Sequence, residues 1–302
     1  MADRRLQVFH TVARLLSFTK AAETLHMTQP AVTFQVRQLE EHFNTRLFDR
    51  THNRISLTDA GKQVFRVAAK IFEYYEEMED AVRQVTGEIS GALIIGASTT
   101  IAEYMLPAML GDFKLKYPDV NVHLKVSNTD GIVGMVENND IDLGVVEAPV
   151  SNKNLVVTNC RMDQLVVIAP PDHELVGRES VGVTEILEYP FITREEGSGT
   201  REVFEDFLTQ VGINPTELKI TMELGSPEAI KGAVESRMGI SVVSRATIAK
   251  ELKLSSLCAV RLEPILERPF SFVHQKQKFR HRAMDELLDF AQNYCKEHQN
   301  DI

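Results

Sequence analysis

Residues 17–61 read SFTKAAETLHMTQPAVTFQVRQLEEHFNTRLFDRTHNRISLTDAG, and their spacing decides how the front of the chain folds. Ser17 is placed to cap a short helix, Phe18 to Leu25, that carries the small pair Ala21-Ala22. After a break at His26-Met27, Thr28 is a good N-cap with Pro30 in the first turn. Val32, Val36, Leu39 and Phe43 then form one apolar stripe. Just upstream, Leu6, Phe9, Val12 and Ala13 recur at helical spacing. Two short helices joined by a tight turn, the second opening with a cap and a proline, form a helix-turn-helix. At about 100° per residue the stripe leaves Thr33 and Arg37 to one side and Phe34 almost opposite it. Contact with a thymine methyl in the major groove would explain an exposed Phe there. RLFDRTHNRISLT, residues 46–58, supplies two β-prone pieces for a hairpin wing, with Arg50 and Arg54 near its tip for phosphate or the minor groove.

From Asp59 to Thr86 apolar residues return about every 3.5 positions: Val64, Val67 or Ala68, Ile71, Tyr74 or Tyr75, Met78, Ala81 or Val82, and Val85. No proline occurs, nor any glycine after Gly61, so one long helix in need of a partner helix is expected, and with it a dimer. GEISGA, residues 87–92, ends that helix as a hinge. Beyond it, ALIIGAS (92–98), VNVHLKV (120–126), IDLGVV (141–146), QLVVIAP (164–170), YPFITRE (189–195), GISVVS (239–244) and PFSFVHQ (269–275) alternate with helical patterns. The alternation predicts an α/β fold of largely parallel sheets with ligands at the carboxyl ends of the strands. The length suits two lobes, the chain leaving the first near Met162 and returning near Glu267, with the ligand in the cleft between them.

The chain has 302 residues, 43% apolar and 25% charged, an ordinary balance for folded domains. No apolar run approaches the roughly 18–20 residues that cross a bilayer, and the N-terminal residues lack a secretion pattern, so a cytoplasmic protein without membrane contact is expected. The net charge of −10 hides an asymmetry. Residues 1–66 hold ten Lys and Arg against six Asp and Glu, while residues 67–302 hold 23 against 37. The basic front fits a nucleic-acid partner. Cys160, Cys258 and Cys295 lack disulfide-framework or zinc spacing and read as separate thiols.

Three hydroxyl-rich segments open helices. Ser98, Thr99 and Thr100 follow a strand, with Glu103 able to close a capping box on Thr100; Ser198 and Thr200 lie in REEGSGTR (194–201); Ser226 precedes Pro227. Each fits a plain helix cap, but the first two fall in different lobes at strand ends, where freed N–H groups and hydroxyls also receive anions. Arg201, one residue into its helix, is badly placed for the helix dipole. Either an anionic ligand or an ion pair with Glu147 or Glu195 explains it. Glu147, just after IDLGVV, is positioned for an amine or hydroxyl of a ligand. No nucleophile elbow, Walker loop, dinucleotide fingerprint or HExxH motif occurs and the histidines are scattered, so no catalytic residue, metal or cofactor is expected.

With these pieces in place the chain resembles the LysR-type transcriptional regulators over its whole length. The resemblance is carried by Ala21-Ala22, Leu25, Gln29-Pro30-Ala31-Val32, Gln35, Leu39-Glu40, Leu47-Phe48, Arg50, Leu57-Thr58 and Ala60-Gly61. It implies α/β with an N-terminal all-α winged helix-turn-helix and a two-lobed periplasmic-binding-protein-like effector domain joined by a long linker helix. The corresponding division is 1–58 for the DNA-binding domain, 59–86 for the linker and dimerisation helix, 87–91 for the hinge, 92–162 with 267–302 for lobe I, and 163–266 for lobe II. It further implies homodimers that assemble as tetramers on double-stranded DNA. DNA contact falls on Thr28, Gln29, Pro30, Thr33, Phe34, Gln35 and Arg37, and on Arg50 and Arg54. Effector contact falls on Ser98, Thr99, Thr100, Glu147, Ser198, Gly199, Thr200 and Arg201. Asn44 stands where the family commonly has glycine, and Asn tolerates the left-handed backbone. The EEGSGTR loop looks most like that of regulators whose effectors are sugar phosphates or sulfur oxyanions, which points to a small anionic effector. A two-lobed solute-binding protein or enzyme, and a regulator without an effector, are the competing readings.

Overall fold

The computed structural model of the chain describes residues 3–51, 54–86, 89–276, 280 and 282–298. It divides into two compact units, Met1–Glu88 and Ile89–Ile302. In the first, α1 (Arg4–Leu15), α2 (Phe18–Thr24) and α3 (Gln29–His42) precede a hairpin of β1 (Phe48–Thr51) and β2 (Arg54–Leu57), and α4 runs Asp59–Thr86. Ser17 and Thr28 act as the expected caps, accepting from Lys20 N at 3.2 Å and Ala31 N at 3.4 Å. Between the helices His26 takes a left-handed φ of 52°, and after α3 Asn44 takes φ 48°. Val8, Phe9, Val12, Phe18, Ala21, Val32, Val36, Leu39, Leu47 and Phe48 form one buried core. Phe43 is left out of it at 45% exposed, because α3 ends one residue earlier and the stripe loses its last member.

Glu40 ties the end of α3 to the wing: its Oε1 accepts from Leu47 N (2.8 Å) and Phe48 N (3.3 Å). Thr58 Oγ1 accepts from Gly61 N at 2.9 Å to start α4. A Cβ at Gly61 would stand 2.1 Å from Leu47 O, so only glycine allows this approach.

The second unit runs β3 (Gly91–Ser98), α5 (Thr99–Tyr104), α6 (Leu106–Lys116), β4 (Val120–Ser127), α7 (Thr129–Glu137), β5 (Leu143–Val146) and β6 (Leu155–Ala169). There follow β7 (Ser180–Gly182), α8 (Val183–Ile186), β8 (Pro190–Arg194), α9 (Gly199–Gln210), β9 (Lys219–Leu224), α10 (Pro227–Glu235), β10 (Ser241–Ser244), α11 (Ala249–Leu254), β11 (Cys258–Gln275) and α12 (Arg282–Glu297). One sheet is ordered β10-β6-β11-β5-β3-β4, with β7 added beside β11, and β8 pairs β9. The pairs β3–β4, β3–β5, β7–β11 and β8–β9 are parallel as expected. The pairs β6–β11, β6–β10 and β5–β11 are antiparallel. That corrects the expectation of largely parallel sheets: β6 and β11 are long strands that run between the lobes in opposite directions and pair with each other on the way. One core gathers Leu93, Ile95, Met109, Phe113, Phe272 and Leu287; another gathers Leu165, Val167, Phe191, Phe204, Val242 and Leu262. The cysteine expectation is corrected too. Cys160 of β6 and Cys295 of α12 form a disulfide with Cα atoms 5.9 Å apart, a contact across 135 residues that spacing does not reveal.

Candidate functional site

The first unit presents α3 with its apolar stripe inward and its other faces free. Thr28, Gln29, Pro30, Phe34 and Arg37 are exposed, and Thr33 and Gln35 are half-buried. Phe34 is 56% exposed, as a base-contacting rather than a core role requires. Gln29 Nε2 donates to Thr33 Oγ1 at 3.2 Å, so two polar side chains lie together one turn apart. Arg37 holds Glu41 at 2.9 Å in an exposed pair, which contributes little and releases the guanidinium readily. The backbones of Arg50 and Arg54 lie in the wing hairpin; their side chains fall outside the described residues.

The second unit gathers hydroxyls around one carboxylate. β3 ends at Ser98 and its parallel neighbour β5 ends one residue before Glu147, so adjacent strand ends deliver both. Ser98 donates to Glu147 Oε2, and Thr100 Oγ1 donates to Oε1 at 3.1 Å. From α9, Thr200 Oγ1 reaches the same Oε1 at 3.5 Å. Glu147 is 1% exposed. Behind it Arg268 is fully buried: Nη1 donates to Thr200 Oγ1 at 2.9 Å and lies 3.7 Å from Glu147 Oε1. Its Nε pairs with Asp163 Oδ2 at 2.9 Å, and Ser244 donates to Asp163 Oδ1 at 2.6 Å. Burial pushes the Asp163 carboxyl above the usual range, with Arg268 and Ser244 pulling it back. Ser198 Oγ, Thr129 Oγ1 and Arg268 Nη2 are buried with no hydrogen-bond partner among the described residues.

The sequence separates these residues from ordinary caps only in part. Ser98 and Ser198 occupy N-cap positions, yet neither side chain makes a cap bond. The capping box expected at Thr100 is absent, because α5 opens two residues earlier, with Ser98 as its N-cap, and Thr100 turns to Glu147. Ser226, by contrast, is a cap, accepting from Ala229 N at 3.2 Å. Thr99 leans instead on Ser127 O at 3.4 Å. Gly199 lets α9 press close: a Cβ there would stand 2.5 Å from Thr129 Oγ1 and 3.1 Å from Glu147 Cγ. The ion pair expected between Arg201 and Glu147 or Glu195 does not form. Arg201 pairs with Glu205 (2.7 Å) and Glu223 (2.8 Å), while Glu195 is taken by Arg194 at 2.7 Å. Sequence reasoning missed Arg268, Asp163 and Thr129. The one available signal was a charge at the edge of an apolar strand run, in RPFSFV and DQLVVIA.

Contacts between the lobes flank the cluster. On one side Asn128 Nδ2 donates to Glu196 O at 3.1 Å and Asp130 N to Gly197 O at 3.3 Å. On another, Tyr104 donates to Glu228 and accepts from Lys231 Nζ at 3.0 Å. Burial and the Glu228 bond push the Tyr104 phenol up to about 12.

A winged helix-turn-helix followed by a two-lobed α/β unit with a hydroxyl-lined interlobe cluster is the layout of a DNA-binding regulator that carries an effector-binding domain. Residues 4–62 match the family described as bacterial regulatory helix-turn-helix protein, lysR family, and residues 86–296 match the LysR substrate binding domain. The chain belongs to the LysR family of transcriptional regulators. Among its relatives, the RuBisCO operon transcriptional regulator of Allochromatium vinosum is 37% identical over 265 residues, covering 88% of this chain and 86% of that protein. The CcmR regulatory domain of Synechocystis PCC6803, solved in complex with 2-PG, is 33% identical with a TM-score of 0.64, covering 68% of this chain and 98% of that one. Full-length CbnR, solved with its target DNA, shares the fold at 20% identity and a TM-score of 0.66, covering 97% of this chain and 99% of that one. Among the described residues no helix is long and apolar enough to cross a membrane.

Proposed function

We propose that this regulator works in the cytoplasm as a dimer or tetramer, reads its operator with α3 and the wing, and responds to a small metabolite rich in anionic oxygens, held between lobe I (92–162 and 267–302) and lobe II (163–266). The observation that carries the ligand class is Arg268 Nη2, a buried donor with no acceptor among the described residues, in the same unit as the likewise unpartnered hydroxyls of Ser198 and Thr129. Leaving such donors unmade is costly, and guanidinium groups accept nothing, so the missing partner brings oxygen lone pairs. The relatives named for RuBisCO control and the 2-PG complex support a phosphorylated acid or sugar; a sulfur oxyanion has the same chemistry.

The test is thermal unfolding of the full chain against sulfite, sulfate, phosphate, phosphoglycerate and ribulose bisphosphate, with neutral amino acids as controls. A ligand at about a hundred times its Kd adds roughly 2.7 kcal/mol. One anion should raise the Tm of the native chain and not of Ser198→Ala. No shift with any anion favours a regulator without such an effector.

On the DNA side, Gln29, Thr33 and Gln35 read base edges, Phe34 meets a thymine methyl, and Arg37 with the wing arginines Arg50 and Arg54 holds phosphate. Thr28 and Pro30 fix the start of the reading helix. Arg37→Ala should weaken operator binding about tenfold and reduce the slope of log K against log salt by about 0.9, as loss of one phosphate contact requires. The anion-induced Tm shift should stay as it was. An unchanged salt slope would remove Arg37 from the phosphate contacts.

A further inference from the structure

We propose that Glu147 is the cleft's own anion: its carboxylate occupies the donors that an entering oxyanion needs, and the effector binds by displacing it. This rests on the reading of the cleft as an anion site. The carboxylate is bound as a ligand would be, by Ser98 and Thr100 on one side, Thr200 on the other, and the Arg268 guanidinium 3.7 Å away. Ser98 stands at an N-cap yet makes no cap bond, so its hydroxyl and that of Thr100 are turned to the carboxylate, while Thr200 is held between Glu147 and Arg268.

Simple addition of an anion is disfavoured on two grounds. The start of α9 presses on Glu147, leaving a Cβ at Gly199 only 3.1 Å from its Cγ. Charge opposes it as well: Glu147 and Asp163 already set two carboxylates against the single guanidinium of Arg268, and Arg194 is spent on Glu195. A further negative charge at low dielectric would face strong repulsion, whereas exchange of one anion for another leaves the count unchanged.

The same geometry selects the newcomer. Two carboxylate oxygens serve Ser98, Thr100 and Thr200, but they leave Ser198 Oγ, Thr129 Oγ1 and Arg268 Nη2 unmet. An anion with three or more oxygens on one centre, such as a phosphate, phosphate ester, sulfite or sulfate, brings at least one more acceptor than the carboxylate it replaces. Plain carboxylates therefore compete poorly with Glu147.

The experiment is calorimetry on the full chain with inorganic phosphate, sulfate, sulfite and phosphoglycerate, comparing the native protein with Glu147→Gln. For the anion that the native chain binds, Glu147→Gln should bind at least tenfold tighter. In parallel, Glu147→Ala should melt at lower temperature than the native chain. Tens of millimolar acetate should raise its Tm, with no effect of chloride at equal ionic strength and no effect of acetate on the native chain. Equal or weaker binding by Glu147→Gln, with the native affinity intact, overturns the displacement and leaves the anion site standing. Absence of binding to both proteins ends both readings. If Glu147→Ala does not fold, the near-isosteric Glu147→Gln still decides.

Discussion

Replacing Arg268 with alanine will destabilise the chain by about 3–5 kcal/mol, because it strips a fully buried pair of one partner and leaves the Asp163 carboxylate uncompensated. Urea unfolding of the full chain, followed by a probe of the second unit, reads this directly. The loss carries a pH signature. Burial already raises the Asp163 carboxyl, and the guanidinium is what restrains it. Without Arg268, folding requires Asp163 to hold a proton that the unfolded chain releases near 3.9. A raised carboxyl adds stability below that unfolded value and loses it as pH rises, by up to about 1.4 kcal/mol per unit. The native Asp163 carboxyl is itself raised, so both proteins lose stability as pH climbs past the unfolded value and the variant goes on losing it to a higher pH; the deficit is therefore larger at neutral pH than in acid, and a deficit flat with pH would mean that Asp163 finds another counter-charge. Arg268→Lys should recover little, since a point charge does not span Asp163 and Thr200 as the planar fork does. Arg268→Met together with Asp163→Leu should recover much of the loss.

The same pair shows where the sequence stops being legible. Local chemistry announces the caps at Ser17 and Thr28 and the stripe on α3, because each depends on neighbours within a few residues, while the left-handed turn at Asn44 was legible through the family resemblance. Asp163 and Arg268 lie 105 residues apart and meet only because β6 and β11 share one antiparallel register. No periodicity encodes that register; in the sequence each residue looks like a charged strand end. β9 was missed for the opposite reason: its side chains are exposed or half-buried, so it lacks the apolar run that marked its neighbours. Ser98, Thr100, Glu147, Ser198, Gly199 and Thr200 were legible as strand-end hydroxyls and their companions, and the structure brings them to one place. Arg201 was not, because two acids on its own lobe, Glu205 and Glu223, capture it first.

Placing a positive charge at two apolar positions on α4, Tyr74→Lys with Met78→Lys, should leave the chain monomeric at micromolar concentration, where the native chain is expected to pair, and weaken operator binding about a hundredfold or more. Phe65 and Phe72 flank the His10 ring at 4.9 and 5.1 Å, and Ala68 is buried. Those contacts use one face of the helix. Val67, Tyr74, Met78 and Val82 remain 49%, 66%, 52% and 62% exposed. At about 100° per residue these four fall within about 80° of one another, and the packed aromatics lie roughly 120° round. An apolar strip of that length in water is stable only when a second helix covers it, and the spacing of 67, 74 and 78 is the seam of a two-helix coil. A second copy of α4 fits, since it brings an identical strip, and a dimer then presents two reading helices to two half-sites. Two lysines from each helix would set four ammonium groups in the seam, and desolvating them is a cost that dimerisation cannot offset. Separating one half-site from the other forfeits the intramolecular second binding event, and with it the hundredfold. Sedimentation of the double variant gives the state directly, and titration of an operator fragment gives the affinity. A variant that sediments as a dimer would place the pairing surface elsewhere than α4. One that is monomeric yet binds its operator as tightly as the native chain would show that a single reading helix and wing supply the affinity alone.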